Sequence, residues 1–234
     1  MQRLQLNLHL KSDATFGRGE GLAGLVDEEV EYDAATGLPF VRGRTLKGLL
    51  VEECANLLFA LQAASSPVSV SVLPALEESA ERLFGRPGSD VKSTALLHIG
   101  PALFPEQLRS AVRYEIERGP LLPAAVLESV TAIRHQTAVD ERSAAPEKGS
   151  LRSMRVVLHQ TNLRAWLDFV SDPDADDAND LALLAACTLS VRRGGIGRNR
   201  GRGQLSLRLL NEQGADITDP YFEHFRQLLR GGQG

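Results

Sequence analysis

The chain has 234 residues, 43% of them hydrophobic and 24% charged, and it carries a formal net charge of −4. This is the composition of an ordinary globular protein, long enough to bury a packed core. No run of about eighteen apolar residues occurs, which excludes a transmembrane helix, and segment 1–12 lacks a signal peptide's apolar core. Cys54 and Cys187 have no second thiol or histidine at metal-ligand spacing. We therefore predict free buried thiols in a cytoplasmic protein.

The negative charge is not spread evenly along the chain. Segment 171–180 holds five aspartates and no basic residue, and removing those charges changes the formal net charge from −4 to +1. Residues 191–210 contain six arginines and no acidic residue. The aspartate spacing does not match an EF-hand loop, so a solvated loop is the simpler interpretation. This segregation allows a basic surface on an acidic protein.

The predicted elements begin with a strand, because leucines at positions 4, 6, 8 and 10 alternate with polar residues. A glycine-rich stretch at 17–24, a second strand at 25–32, a turn at 34–39 and a short strand at 40–41 follow. A helix is then predicted with Thr45 as its N-cap. One apolar stripe of that helix comprises Leu46, Leu50, Cys54, Leu57 and Leu61.

The rest of the chain mixes helices and strands. Helices are predicted within 76–84, 101–123, 181–191 and 221–229, and strands within 94–99, 155–169 and 205–209. Trp166, in an apolar strand region, is predicted to lie in the core. The mixture favours an α+β fold in a single domain, 1–234, with loops too long for a parallel Rossmann sheet.

The first candidate site is the strand–turn–helix unit at 37–48. A glycine turn directly before a helix exposes unpaired backbone N–H groups, and the helix dipole adds partial positive charge to them. The predicted phosphate-binding residues of this unit are Arg42, Gly43, Arg44, Thr45 and Lys47. The spacing of a Walker loop is absent. A tight helix entry with solvated basic side chains is the alternative.

The second candidate site is a loop of glycines and arginines at 192–203. Glycines let a backbone approach a ligand closely, and arginines pair with phosphate oxygens or stack on bases. The predicted RNA-binding residues of this loop are Arg192, Arg193, Gly195, Gly197, Arg198, Arg200 and Arg202. A dinucleotide-binding fingerprint fails here, because position 200 is arginine and the order is helix–loop–strand.

These motifs resemble the RAMP superfamily, the repeat-associated RNA-binding proteins of CRISPR systems. Its members carry a turn resembling Asp-x-x-Thr-Gly-x-Pro-Tyr-Ile-Pro-Gly-Ser-Ser-Leu-Lys-Gly, which segment 33–48 matches closely. The family also carries a C-terminal glycine-rich loop, which 194–203 resembles. Two weaker similarities lie between them, at 83–85 and at 133–138 followed by 149–151. The sequence departs from the family where Pro-Gly-Ser-Ser becomes Arg-Gly-Arg-Thr, at 42–45.

The resemblance implies a ferredoxin-like, RRM-type core with inserted loops. Within the superfamily the pattern is most similar to the backbone subunit of type III effectors, which stacks along a guide RNA beside neighbouring copies and other subunits. An inserted hairpin of those subunits wedges between guide and target RNA. By similarity, 130–154 is the candidate for that hairpin, with Arg134 and His135 as candidate RNA contacts; an ordinary surface loop is the alternative.

The resemblance also implies a cleaving residue. Type III backbone subunits cut target RNA with an aspartate that precedes the conserved turn, and the gapless match of 26–33 places Asp27 there. A carboxylate at this position could hold Mg²⁺, which would organise the attack of a 2′-hydroxyl. A structural role for Asp27 is the alternative.

Three functions are therefore compared. The first is a target-cleaving backbone subunit bound to guide and target RNA. The second is a non-catalytic subunit of the same kind of complex. The third is a repeat-processing endoribonuclease that would use a histidine, although none of the five histidines lies in a recognisable motif.

Overall fold

The computed structural model describes residues 3–21, 26–64, 66–86, 95–137, 149–170 and 178–231. Its elements, in chain order, are β1 (Arg3–Leu10), α1 (Gly43–Ala64), α2 (Pro67–Phe84), β2 (Leu97–Ile99), α3 (Glu106–Glu117), α4 (Pro123–Val130), β3 (Thr131–Gln136), β4 (Arg152–Val157), β5 (Asn162–Phe169), α5 (Ala178–Ser190), β6 (Leu205–Leu210) and α6 (Thr218–Leu229). The aspartate-rich segment lies largely outside the described residues, and so does 138–148, the middle of the predicted hairpin insertion.

A four-stranded sheet with the order β2–β5–β1–β6 forms the centre of the fold. Each neighbouring pair is antiparallel, and Leu6 of β1 lies opposite Ala165 on one side and Leu209 on the other. Helices α1 and α2 connect β1 to β2, and α5 connects β5 to β6. This connection order and sheet order are those of a ferredoxin-like β-α-β-β-α-β unit. The predicted α+β fold with an RRM-type core is confirmed.

The insertion lies between β2 and β5. It contains α3, α4 and a separate two-stranded sheet in which β3 pairs antiparallel with β4. Thr131 lies opposite Val157 at its base, and Gln136 lies opposite Arg152 at the far end of the ladder. The predicted hairpin at 130–154 therefore has paired strands on both sides of its undescribed middle.

Burial in the core accounts for the apolar residues of β1 and α5. Leu4, Leu6, Leu8 and Leu10 are at most 1% exposed and belong to the same cluster as the buried residues of α1 and α5. Helix α5 is buried on nearly all sides, which accounts for its run of leucine, alanine and cysteine. Within the part of the chain that the structure describes, no helix is long and apolar enough to cross a membrane.

Trp166 is not in the core, and that prediction is wrong. The inward positions of β5 are Leu163, Ala165 and Leu167, so strand alternation places Trp166 on the open face of the sheet. It is 40% exposed, and the Arg3 guanidinium lies over its ring, 4.2 Å from the centroid. The apolar neighbourhood of Trp166 in the sequence is misleading, whereas the period-two pattern of the strand gives the correct face.

The two cysteines are free and buried, as predicted, and they meet where α1 packs against α5. A hydrogen bond between the Cys54 and Cys187 side chains, together with burial, holds the pKa of Cys187 well above its usual range. A raised pKa disfavours the thiolate, the reactive form. Spacing in the sequence gave no sign of this contact.

Several boundaries differ from those predicted. Helix α1 begins at Gly43 rather than after Thr45, because the Arg42 carbonyl accepts hydrogen bonds from the N–H groups of Thr45 and Leu46. Helix α2 begins at Pro67, nine residues before the helix predicted within 76–84; proline is tolerated in the first turn of a helix. The described part of 25–32 makes isolated bridges rather than a regular strand.

Candidate nucleic-acid interface

The glycine-rich loop between α5 and β6 packs backbone against backbone. Gly195 and Gly203 have positive φ angles of 84° and 68°. A Cβ on Gly195 would collide with the Thr15 carbonyl, and one on Gly203 would collide with the Gly194 carbonyl. The Ile196 N–H donates to the Thr15 carbonyl at 2.8 Å, and the Gly194 N–H donates to the Gly203 carbonyl at 2.9 Å. These glycines fix the loop against the segment that follows β1.

The arginines of this loop are exposed to different degrees. Arg192, Arg193 and Arg200 are exposed, and no carboxylate of the described residues pairs with any of the three. Arg202 is half-buried, and its Nη1 contacts the Met154 sulfur of β4. Arg198 differs from the others because it makes a bidentate ion pair with Glu52 of α1, with both N–O distances at 2.8 Å. Its charge is therefore partly neutralised by the protein itself.

Three adjacent depressions surround the loop. One of about 450 Å³ lies between the loop and β6, one of about 410 Å³ lies beside Gly195–Arg200, and one of about 380 Å³ reaches the base of the hairpin. We call this surface the basic groove. Its polar lining includes Lys11, Arg134, Gln136, His159, Arg192, Arg193, Arg200 and Arg202. Exposed cations on a glycine-built backbone are suited to binding a polyanion such as RNA.

The predicted residues at the start of α1 lie on a separate surface. A Cβ on Gly43 would collide with the Ile99 carbonyl, so the glycine allows the helix end to approach β2 closely. Arg42 is paired with Glu31, with Nη2 and Oε2 2.5 Å apart. Arg44 is exposed and Lys47 half-buried, and neither pairs with a carboxylate among the described residues.

The two predicted clusters are joined through α1. Arg44 lies eight residues before Glu52, which corresponds to about 12 Å along a helix. Glu52 holds Arg198, and a Cβ on Gly194 would lie 3.1 Å from a Leu49 methyl group. The start of α1 therefore flanks the basic groove but does not line the three depressions.

The hairpin contributes Arg134 to the groove. Arg134 donates two hydrogen bonds to Asp13 Oδ2, at 3.0 and 2.8 Å. His135 is exposed on the same strand, and Gln136 lines the depression beside Gly195. Strand β3 of the hairpin and the glycine-rich loop thus meet, although more than fifty residues separate them in the sequence.

Asp27 lies beside β4 at Ser153, near the far end of the β3–β4 ladder. Its N–H donates to the Ser153 carbonyl at 3.0 Å, and its Oδ2 accepts from the Ser153 N–H at 2.7 Å and from the Ser153 hydroxyl at 3.2 Å. Hydrogen bonds from the Ser153 backbone and hydroxyl hold the pKa of Asp27 below its usual value. The side chain is exposed, so it is an accessible anion.

The carboxylates around Asp27 limit what it could bind. Glu29 is fully buried and paired with Arg155 at 2.8 Å, and Glu31 is paired with Arg42. Among the residues that the structure describes, no group of three His, Cys, Asp or Glu side chains could hold a metal ion. A divalent ion beside Asp27 would therefore have at most two His, Cys, Asp or Glu ligands among the described residues.

Sequence reasoning missed several groove residues. Lys11 and Asp13 follow directly after β1, and His159 lies in the turn between β4 and β5. Asp13 contacts Arg134 and His159, which lie 121 and 146 residues further along the chain. No short-range spacing could have revealed these contacts. A polar Lys-Ser-Asp group directly at a strand end was the only local signal.

Comparisons with known proteins agree with this architecture. The family model described as the RAMP superfamily matches residues 7–206. A chain of "Cryo-EM structure of the Type III-B Cmr-beta bound to cognate target RNA" superposes with a TM-score of 0.58 at 12% identity, covering 89% of this chain and 97% of that one. A chain of the apo-state Type III-B Cmr-beta structure gives a TM-score of 0.58 at 13% identity, covering 90% and 98%. No curated protein matches in sequence.

At these identities the solved structures establish the shared fold. The family model extends from within β1 to within β6, and so spans all four strands of the central sheet and the glycine-rich loop. The resemblance found in the sequence is confirmed, and this chain belongs to the RAMP superfamily.

Proposed function

We propose that this chain is a guide-RNA-binding backbone subunit of a type III CRISPR effector complex. The observation that carries the proposal is the basic groove, where three exposed arginines without carboxylate partners among the described residues border a rigid glycine-built loop. The two similar solved structures are named as Type III-B Cmr-beta assemblies, one of them bound to cognate target RNA. We expect guide RNA, target RNA and other effector subunits as partners, in the cytoplasm.

Binding in the groove would read the RNA backbone rather than its sequence. Arginine pairs with phosphate oxygens through two N–H groups at once, and this contact is the same for every base. We place the candidate contacts at Arg192, Arg193, Arg200, Arg202 and Arg134, with Arg44 and Lys47 as a flanking second patch. Arg198 is available only when RNA competes with Glu52.

The test is RNA binding by the full chain and by the reconstituted complex. The variant Arg192→Ala/Arg193→Ala/Arg200→Ala removes three charges from the groove. The matched control, Arg86→Ala/Arg109→Ala/Arg226→Ala, removes three charges from α3, α6 and the end of α2, outside the groove lining. We expect the groove variant to lose affinity, with a salt slope smaller by about 0.7 for each phosphate that the protein no longer neutralises. Equal decreases in affinity for both variants would contradict the proposal.

We further propose that Asp27 takes part in cleavage of the paired target RNA. The 2′-oxygen would attack the adjacent phosphorus, the 5′-oxygen would leave, and protons would pass from the 2′-hydroxyl and to the leaving oxygen. A depressed pKa makes Asp27 a weak base but a constantly charged ligand or orienting group. Mg²⁺, when bound, would supply charge stabilisation at the phosphate.

A second candidate, a non-catalytic subunit, is favoured by one specific observation. Asp27 Oδ2 already accepts two hydrogen bonds from Ser153, a contact that would equally well hold the hairpin in place. The experiment compares target cleavage by complexes containing wild type, Asp27→Asn or the control Glu106→Gln, in Mg²⁺ and in EDTA. Loss of metal-dependent cuts in Asp27→Asn alone supports a catalytic role. Cleavage of precursor RNA by the isolated chain in EDTA would indicate a repeat-processing enzyme instead.

A further inference from the structure

Asp13 lies at the centre of a cluster that joins three parts of the chain. Its Oδ1 accepts from the His159 backbone N–H at 3.1 Å and lies 3.3 Å from His159 Nδ1. Its Oδ2 accepts two hydrogen bonds from Arg134, and its carbonyl accepts from the Gly203 N–H at 2.9 Å. Both carboxylate oxygens and the carbonyl are therefore used in holding the turn after β4, the hairpin and the glycine-rich loop.

The hydrogen bonds to this carboxylate keep it charged. Hydrogen bonds from Arg134 and His159 lower the pKa of Asp13, against the opposing effect of its partial burial. An ionised Asp13 can only accept, so Nδ1 of His159 donates to it. Nη1 of Arg134 is left over as a donor, and Nε2 of His159 donates as well when the imidazole is protonated.

These leftover donors line the 380 Å³ depression together with Lys11 and Arg202. Lys11 is exposed, as are the side chains of His159 and Arg134, at 61% and 47%. Gly201 completes the lining, and a Cβ there would meet nothing within 4 Å, so the backbone is open to an approaching group. The depression thus presents several nitrogen donors around one carboxylate whose oxygens are already occupied.

We propose that this depression binds one phosphate group of the RNA backbone, and that Asp13 is the positioning residue that presents Arg134 and His159 to it. The inference rests on the proposed function, because the phosphate belongs to the RNA bound in the basic groove. Asp13 acts through the two side chains that it holds and does not itself contact the anion. Pre-ordered donors bind more tightly because less side-chain freedom is lost on binding.

The proposal predicts a change in RNA affinity opposite to the one that net charge alone predicts. Removing a carboxylate from a basic surface should strengthen RNA binding if only net charge mattered. If Asp13 positions donors, the isosteric change Asp13→Asn should weaken binding, since one acceptor oxygen becomes a donor and either Arg134 or His159 loses its acceptor. Glu52→Gln is the matched control. It removes the same charge from an acid that is paired with Arg198 beside the groove.

The experiment measures the affinity of the full chain for a fluorescein-labelled single-stranded RNA by anisotropy over a range of salt concentrations. We expect Asp13→Asn to bind roughly tenfold more weakly, as for the loss of one charge-assisted hydrogen bond. The slope of log K against log salt should fall by about 0.7. Glu52→Gln should bind as tightly as wild type or more tightly.

A double-mutant cycle separates positioning from a general loss of structure. Asp13→Asn should add little to Arg134→Gln, because both changes remove the same phosphate interaction. If Asp13→Asn does not fold, Arg134→Gln and His159→Gln provide the same test, again through the slope of log K against log salt. Unchanged or tighter binding with an unchanged slope in these variants overturns the inference while leaving the proposed function intact. Failure of wild type to bind RNA overturns both.

Discussion

Glu52 and Arg198 form a bidentate ion pair between α1 and the glycine-rich loop, with Nη1–Oε2 and Nη2–Oε1 both at 2.8 Å. The hydrogen bond from Arg198 lowers the pKa of Glu52, so the pair persists throughout the neutral range. This ion pair holds the loop in place, and under the proposed function it would compete with RNA for Arg198. The same pair would then have opposite effects on loop order and on RNA affinity.

Replacing Glu52 with glutamine should release Arg198 for RNA. We expect RNA affinity at low salt to rise by up to about fivefold, because both side chains are near 40% exposed and exposed pairs are worth about 0.2–1 kcal/mol. Fluorescence anisotropy with single-stranded RNA measures the change. Arg198→Ala should abolish the gain when combined with Glu52→Gln. A gain that persists in the double variant would show that the released arginine is not responsible.

Asp27 should titrate below the usual carboxyl range, because the backbone N–H and the hydroxyl of Ser153 both donate to its carboxylate. Since its pKa is lowered in the folded state, the hydrogen bonds stabilise the protein above the unfolded pKa, and this stabilisation disappears as pH falls through the folded value. Ser153→Ala removes the hydroxyl but keeps the backbone donor, so it should raise the pKa of Asp27 part of the way toward its ordinary value. A carboxyl-carbon NMR titration measures it directly, and Ser206→Ala, on β6, is the control. An unshifted titration in Ser153→Ala would contradict this account.

The central sheet could be predicted because the alternation of apolar and polar residues along one strand is a local sequence pattern. The alternation at Leu4–Leu10 and at 205–209 shows which faces are buried, and β1 and β6 pair with those faces inward. The same rule would have placed Trp166 outside the core. Helix α2 was underestimated because Ser, Pro and Val, which have low helix propensity, dominate its first turns.

The candidate site was predicted only in part, for a physical reason. The arginines and glycines of 192–203 are contiguous in the sequence, and so their common surface could be inferred. Lys11, Asp13 and His159 join them only after the insertion folds back on the end of β1, as the distant Asp13–His159 contact shows. Nor does a sequence reveal that Arg198 and Arg42 are paired with acids, since both partners are supplied by tertiary packing.

The Glu29–Arg155 pair should be the most sensitive ionic contact at the hairpin base. Both side chains are at least 90% buried; Arg155 pairs with Glu29 Oε1, and Glu29 Oε2 has no hydrogen-bond partner among the described residues. Arg155→Met leaves this carboxylate uncompensated, and we expect a loss of about 3–5 kcal/mol in the free energy of unfolding. Urea denaturation measures it. Arg3→Met, which breaks the exposed pair with Asp168, should cost at most about 1 kcal/mol in ion pairing.

Two glycines of the glycine-rich loop allow the effect of backbone strain to be compared with the effect of a steric collision. Gly201 and Gly203 both have positive φ, at 81° and 68°, so alanine is strained at either position by about 1–3 kcal/mol. Only at Gly203 would the new Cβ also collide with backbone, at the Gly194 carbonyl. Gly203→Ala must therefore displace the loop from Asp13, whose carbonyl accepts the Gly203 N–H.

We expect Gly203→Ala to lower both the thermal midpoint and RNA affinity, and Gly201→Ala to lower the midpoint less and to retain most of the affinity. Thermal denaturation and anisotropy on the same preparations measure the two effects. Equal decreases in affinity would mean that RNA binding depends on φ strain alone. The two variants add the same methyl group two residues apart. A decrease in affinity confined to Gly203→Ala would therefore show that RNA binding in the groove depends on the packing of the loop against the end of β1.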